Sequence, residues 1–138
     1  MSAWDAYIDA LMVDLPKGGR LSSCALVGID GASVWAASPD FPEPTEEQVD
    51  AIMAGFKSVE EHGHAGELGA NGIKLADRKF QVVPGDESVM RGKCLGGGCC
   101  IKRASTVLVV GIYEEPVAAG DCNIIIENMG DSLKESGY

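Results

Sequence analysis

Aromatic residues, cations and long apolar runs are all scarce in this 138-residue sequence. Aromatic side chains make up only 6% of it, so we expect a mostly aliphatic core. Eleven Lys and Arg stand against 21 Asp and Glu, for a formal net charge of −10. Nucleic-acid binding needs a wide basic surface, so this acidity argues against it. No apolar run approaches the roughly 20 residues of a membrane span, which predicts no transmembrane segment.

The sequence also lacks the features of a secreted, disulfide-bonded chain. Residues 1–5 contain no basic segment leading into an apolar stretch, so no signal peptide is predicted. The cysteines number five, which is odd, and we expect free thiols in a reducing cytoplasm. No internal repeat, low-complexity tract or linker is visible, and the length predicts one domain over residues 1–138.

Candidate catalytic and metal-ligating residues are few. His62 and His64 have no other ligands clustered near them in the sequence, so we predict no metal site. Residues 94–100 read CLGGGCC; this string lacks the Gly-Lys-Ser/Thr ending of a P-loop, and we interpret it as a glycine-rich hairpin turn with incidental thiols. A cysteine nucleophile here has no recognisable orienting group. We therefore predict neither an enzyme nor a cofactor.

The N-terminal part of the chain predicts a helix followed by a hairpin. Ser2 and Asp5 have the spacing of a capping box, and apolar residues within 4–15 follow helical spacing until a Pro and two Gly. Residues 24–29 and 33–37 are expected strands on either side of an Asp-Gly turn.

A second helix and a long polar segment come next. Thr45 and Gln48 form another capping-box pattern, and the apolar residues of 49–56 define one helical face. Residues 57–69 are polar and contain glycine, so we expect a long surface loop there.

The rest of the chain predicts an antiparallel sheet and a last helix. Short turns, including one at residues 84–86, connect the strands, which implies antiparallel neighbours. Residues 122–133 keep helical spacing despite the β-branched run at 124–126, and we predict a helix. The whole order predicts an α+β fold with helices on an antiparallel sheet. The expected strands are residues 73–75, 79–83, 89–93, 99–103 and 106–113.

Bulky rings lie near both ends of this aromatic-poor chain. Trp4 and Tyr7 share one helical face, Trp35 follows the Asp-Gly turn, and Leu133 and Tyr138 close the sequence. If the terminal helices lie side by side, these rings form an exposed aromatic groove of the kind that binds polyproline II segments. The alternative is that the rings only hold the helices against the sheet.

The charge is unevenly distributed. Residues 74–103 hold seven cations and three acids, a local charge of +4, which leaves −14 for the rest of the chain. Such polarity indicates a basic face that steers an acidic partner, or else ordinary solvated lysines on the outside of strands.

Taken in order, these segments resemble the profilin family from about residue 3 to residue 138. The opening helix resembles the family at residues 4–9, WDAYID, and the first hairpin at residues 25–31, ALVGIDG, with VWA at 34–36. A basic strand pair follows in VMRGK at 89–93 and IKR at 101–103. The entry to the last helix resembles the family in VVGIYEEP at 109–116 and GDCN at 120–123.

The resemblance implies a fold and a set of partners. The fold is a central antiparallel sheet of about six or seven strands, with the N- and C-terminal helices packed on one face and a further helix on the other. The implied function is that of a cytoplasmic, cytoskeletal protein that binds monomeric actin one-to-one and regulates its polymerisation. It would also bind proline-rich proteins such as formin-like nucleators and, more weakly, phosphoinositide headgroups. The alternative is a small α+β scaffold that binds anionic lipid or a proline-rich partner without actin.

The resemblance also assigns residues to three surfaces. The turn after Lys93 departs from the family, since Cys94 and Leu95 stand where relatives often carry another basic residue. Overlap of the actin and phosphoinositide positions implies competition between those ligands. The polyproline positions are Trp4, Tyr7, Trp35, Leu133 and Tyr138; the actin positions are Lys74, Lys79, Arg91, Lys93 and Asn123; the phosphoinositide positions are Arg91, Lys93, Lys102 and Arg103.

Overall fold

One antiparallel sheet organises the molecule. The computed structural model describes residues 3–138, apart from the side chain of Pro84, and within them seven strands lie in the order β2-β1-β7-β6-β5-β4-β3. Every neighbouring pair is antiparallel, which confirms the α+β prediction. The elements are α1 (Asp5–Leu11), β1 (Ser23–Gly28), β2 (Val34–Ala37), α2 (Glu46–His62), α3 (Glu67–Asn71), β3 (Ile73–Leu75), β4 (Arg78–Asp86), β5 (Val89–Cys94), β6 (Gly97–Arg103), β7 (Val107–Glu114) and α4 (Ala119–Glu135).

Helices cover both faces of the sheet. The terminal helices α1 and α4 pack together on one face, and α2 and α3 pack on the other, as predicted. Because successive side chains of a strand point to opposite faces, Leu26 lies in the core under α1 and α4 while Val27 lies in the core under α2. Within residues 3–138, no helix has both the length and the apolar character needed to cross a bilayer.

Helix α1 is shorter than predicted. It ends at Leu11, not near residue 15, and Ser2 of the predicted capping box lies outside the described residues. The chain leaves the helix because Leu15 N–H donates to Gly19 O (2.8 Å) and Gly18 N–H donates to Leu15 O (2.9 Å), closing a tight loop. Leu15 is still buried, so the apolar spacing correctly indicated a core residue but not its conformation.

Helix α2 is longer than predicted. The expected loop at residues 57–69 is wrong, because α2 continues to His62 and α3 begins at Glu67. The polar residues form the solvated side of the helix, where Lys57 and Glu61 pair one turn apart at 4.0 Å. Gly63, at φ +79°, provides the left-handed cap that ends the helix.

The predicted turn at residues 84–86 is also wrong, because β4 continues to Asp86. The Asp86 carboxylate accepts hydrogen bonds from Ser88 N–H (2.8 Å) and Val89 N–H (3.0 Å), so the reversal occurs after it. These bonds, that from Ser88 above all, lower the pKa of Asp86. The last helix is confirmed, since α4 includes all of residues 122–133.

Candidate functional site

Four aromatic rings meet where the two ends of the chain come together. Trp4 is the central ring: its centroid lies 5.4 Å from Tyr7, 4.7 Å from Trp35 and 4.8 Å from Tyr138. Trp35 and Tyr138 are 6.2 Å apart and nearly perpendicular. Trp4, Tyr7 and Trp35 are half-buried, and Tyr138 is 39% exposed. We call these four residues the aromatic cluster.

A bulge in β2 places Trp35 in the cluster. Leu26 pairs with Ala36 and Val27 pairs with Val34, so Trp35 is an extra residue on its strand. Such a bulge re-aims a side chain, and here the indole packs on the core under α1 and α4. Gly28 makes room for it, because a β-carbon at that position would lie 2.8 Å from Nε1 of Trp35.

Hydrogen bonds hold Tyr138 beside the other rings. Its N–H donates to Leu133 O at the end of α4 (2.9 Å). Its main-chain oxygen accepts from the Thr106 hydroxyl (2.6 Å) and from Thr106 N–H. Thr106 lies just before β7, so α4 and the sheet together fix the position of this ring.

The structure brings four of the five predicted polyproline residues together at the surface. The fifth, Leu133, is 1% exposed and lies in the core against which the rings pack. It supports the cluster from within and offers almost no surface to a ligand. The rings therefore contact the core and solvent at once, and their exposed faces, with the Tyr hydroxyls, can pack pyrrolidine rings and hydrogen-bond a polyproline II backbone.

The predicted actin residues lie on the face of the sheet that carries α4. Lys74 of β3 is directly opposite Lys79 of β4, and both are exposed. Arg91 and Lys93 follow at alternate positions of β5 and so point to one face. Asn123 is half-buried on α4. We call Lys74, Lys79, Arg91 and Lys93 the basic face.

Two cations on this side of the sheet, one of them in the basic face, are held by carboxylates of α4. Arg91 Nη2 donates to Glu127 Oε2 at 2.9 Å, and this hydrogen bond raises the pKa of Arg91. Lys102 Nζ lies 2.9 Å from Ser88 Oγ and 3.3 Å from Asp131 Oδ1. The side chain of Lys102 is only 11% exposed.

Arg103 lies on the opposite face of the sheet. Its guanidinium is 5.6 Å from the centroid of Phe56, a core residue of α2. The four predicted phosphoinositide residues thus do not form one surface: Arg91, Lys93 and Lys102 share the α4 face, and Arg103 does not. Their roles stay predictions, as do those of the actin and polyproline residues.

Burial makes four of the five cysteines unreactive. All five thiols are free, and four of them are buried. Burial raises the pKa of Cys24 and of Cys100 to about 12, and raises the pKa of Cys99 and Cys122 further. Such thiols are poor nucleophiles at neutral pH. These four cysteines are core residues.

The two histidines lie together at the surface. Their rings stack at a centroid distance of 5.9 Å, with His62 as the last residue of α2 and His64 just beyond it. Among residues 3–138, no three His, Cys, Asp or Glu side chains are placed to hold a metal ion.

Sequence reasoning missed three residues that shape these surfaces. Gly28 was detectable, because a glycine inside a strand often marks the close approach of another group. Thr106 and Glu127 act across distant parts of the chain, and no local pattern identifies them.

Comparison with known proteins agrees with this architecture. The profilin family model matches residues 2–138. Profilin IB of Acanthamoeba castellanii is 26% identical, with a TM-score of 0.80 and coverage of 99% of this chain and 100% of that chain. The profilin of Schizosaccharomyces pombe is 27% identical, with a TM-score of 0.79 and the same coverage. Mouse profilin IIa, solved in complex with a double repeat from the FH1 domain of mDia1, is 28% identical, with a TM-score of 0.75 and the same coverage. Since the family model spans nearly the whole chain, the protein belongs to the profilin family.

Proposed function

We propose that this protein binds monomeric actin one-to-one and proline-rich segments at a separate surface, and so regulates actin polymerisation at the cytoskeleton. It acts by binding in the cytoplasm and catalyses no reaction. Phosphoinositide binding is a weaker additional property.

The aromatic cluster is the observation that carries this proposal. Four rings within 6.2 Å of a neighbour offer exposed faces in a chain that has only 6% aromatic residues. Flat ring faces suit the stiff polyproline II helix, which loses little entropy on binding. The family relationship supports the same ligand, since mouse profilin IIa is solved with an FH1 repeat.

The basic face supports the actin part of the proposal. Three exposed lysines and Arg91 lie along three neighbouring strands of a protein whose net charge is −10. A local basic surface steers an acidic protein partner and disfavours binding elsewhere on the molecule. The aromatic cluster is built on α1, β2 and the end of α4, so the two ligands have separate contact residues.

Charge reversal tests the actin surface. Arg91→Glu with Lys93→Glu should weaken actin-monomer binding at least tenfold, because truncating or reversing interface charges typically costs more than about 1.4 kcal/mol. Suppression of spontaneous pyrene-actin assembly is the assay. Lys17→Glu with Lys57→Glu is the matched control, since it makes the same change in net charge at exposed positions outside the basic face.

The possible outcomes distinguish an error in the actin-binding surface from an error in the proposed function. If wild-type protein fails to suppress spontaneous nucleation, the proposed function is wrong. If wild-type protein and the Arg91/Lys93 variant suppress nucleation at equal concentrations, actin binds elsewhere. In either case, binding of a polyproline peptide by the variant should equal that of wild type.

A further inference from the structure

Helix α4 places two carboxylates against the cations of the sheet. Glu127 and Asp131 are four residues apart, so they lie on the same side of the helix. Glu127 pairs with Arg91 of β5 at 2.9 Å, and Asp131 pairs with Lys102 of β6 at 3.3 Å. These contacts join residues at least 29 positions apart, so the fold brings them together.

This arrangement leaves little free positive charge for an anionic lipid. Of the four cations predicted to meet phosphoinositide, Arg91 and Lys102 are paired with α4, and Arg103 lies on the other face. Lys93 is exposed and makes no ion pair within residues 3–138.

Breaking its ion pair with α4 would free more accessible positive charge at Arg91 than at Lys102. Its side chain is 32% exposed and that of Glu127 is 29% exposed, so the pair lies at the surface. Arg91 Nε is buried and has no hydrogen-bond acceptor in the described part of the chain. One carboxylate therefore holds a guanidinium whose donors are not all used. Lys102 differs, because its side chain is only 11% exposed.

We propose that Glu127 sets the ligand preference of the basic face, by cancelling the charge of Arg91 and so weakening the binding of phosphoinositide headgroups there. The proposal rests on the proposed function, in which this face serves an acidic protein. At physiological ionic strength charges are screened beyond about 8 Å, so a bilayer responds to the neutral ion pair and not to Arg91 alone. A protein partner differs, because it can place a hydrogen-bond acceptor against the exposed part of the Arg91 guanidinium while the ion pair with Glu127 stays in place.

Neutralising Glu127 tests this directly. Glu127→Gln keeps the size of the side chain and releases Arg91. Each cation free near an anionic surface strengthens binding roughly fivefold. We therefore expect about fivefold tighter binding to vesicles of phosphatidylcholine with phosphatidylinositol bisphosphate, measured by co-sedimentation at physiological salt. Raising the salt should remove the gain.

Two further variants serve as controls. Glu135→Gln removes the same charge from the same helix, about 12 Å further along it, and should change vesicle binding less than twofold. In the Arg91→Gln background, Glu127→Gln should give no gain, because the released cation is absent. Thermal unfolding of every variant verifies that the fold is retained.

Four results would count against the proposal or its basis. An equal gain in the Glu127 and Glu135 variants would mean that net charge alone matters, and no gain in the Glu127 variant would mean that the ion pair does not limit lipid binding. A gain that persists without Arg91 would mean that another cation is released. Failure of wild-type protein to bind actin would reject the proposed function and leave these vesicle results independent of it.

Discussion

Truncation of Trp4 is the most informative test of the aromatic cluster. Trp4 touches the other three rings and also packs on the core between α1 and α4. Trp4→Ala should therefore affect ligand binding and stability together, in amounts that the geometry allows us to estimate.

Each effect can be estimated separately. A central tryptophan in a binding surface typically contributes about 2 kcal/mol or more, so affinity for a polyproline peptide should fall at least roughly 30-fold. Each ring pair contributes about 0.5–1.5 kcal/mol, and partial exposure favours the low end. Loss of three pairs should cost about 2 kcal/mol of folding stability, which lowers Tm by about 8 °C. The ring is half-buried, so its removal is more costly than that of a fully exposed side chain.

Intrinsic fluorescence provides the assay. The chain has two tryptophans, so Trp35 is the only indole reporter in the Trp4→Ala variant. Addition of the peptide should shift the tryptophan emission of wild-type protein. Titrating each variant with peptide and following this shift then gives its affinity. Trp4→Phe keeps a ring and should recover much of the binding. Leu95→Ala removes a fully exposed apolar side chain from the β5–β6 turn and should leave both affinity and Tm unchanged.

Two results would refute this reasoning. Unchanged peptide affinity in a folded Trp4→Ala variant would show that the cluster is not the proline-binding surface. Loss of cooperative unfolding would show that the rings are chiefly core residues, which is the alternative that the sequence left open.

Two further predictions follow from burial. Gly28→Ala should displace the Trp35 indole, whose Nε1 would lie 2.8 Å from the new β-carbon, and weaken polyproline binding severalfold in the same titration. Gly120→Ala, in α4, adds a β-carbon with no atom within 4 Å and should leave the indole in place, so equal affinities of the two variants would contradict the packing. The free energy of unfolding should fall as pH rises above about 9, because the unfolded chain ionises Cys24 there while burial raises its pKa to about 12 in the folded protein. Between about pH 8 and pH 10, the free energy of unfolding measured with urea should fall by roughly 1.4 kcal/mol less in Cys24→Ala than in wild type. An equal fall in the two proteins would refute the assignment of this pH dependence to Cys24.

Local signals in the sequence determined most of the elements. The Thr45 capping box is present, with Thr45 Oγ1 accepting from Gln48 N–H at 3.1 Å and Gln48 Oε1 accepting from Thr45 N–H at 3.0 Å. Helical spacing outweighed the β-branched run of α4, because Cys122, Ile126 and Leu133 lie on the face that is buried on the sheet, whereas Ile124 is exposed. The capping box acts within four residues, so its sequence pattern was enough to locate the start of α2.

Other element boundaries depended on contacts that a local pattern does not contain. Helix α1 ends early because the Leu15–Gly19 loop closes, and β4 continues because the Asp86 side chain organises the reversal after it. Gln48 makes both a local contact and a contact with a distant segment. Its capping role is local, yet its amide also bonds both main-chain groups of Ala76, in the β3–β4 turn, at 2.8 and 2.9 Å.

The candidate site was likewise identified partly from the sequence and partly from the tertiary structure. The sequence by itself identified Trp4, Tyr7, Trp35 and Tyr138, because bulky rings are conspicuous in an aromatic-poor chain. Only the tertiary structure decided that a bulge turns Trp35 toward Trp4, that Leu133 lies beneath the cluster, and that Arg91 is paired with Glu127. Each of these facts is a relation between distant segments whose side-chain directions are set by strand register and helix packing. Residue identity carries the chemistry of a surface, but the fold decides which of its groups remain free to bind.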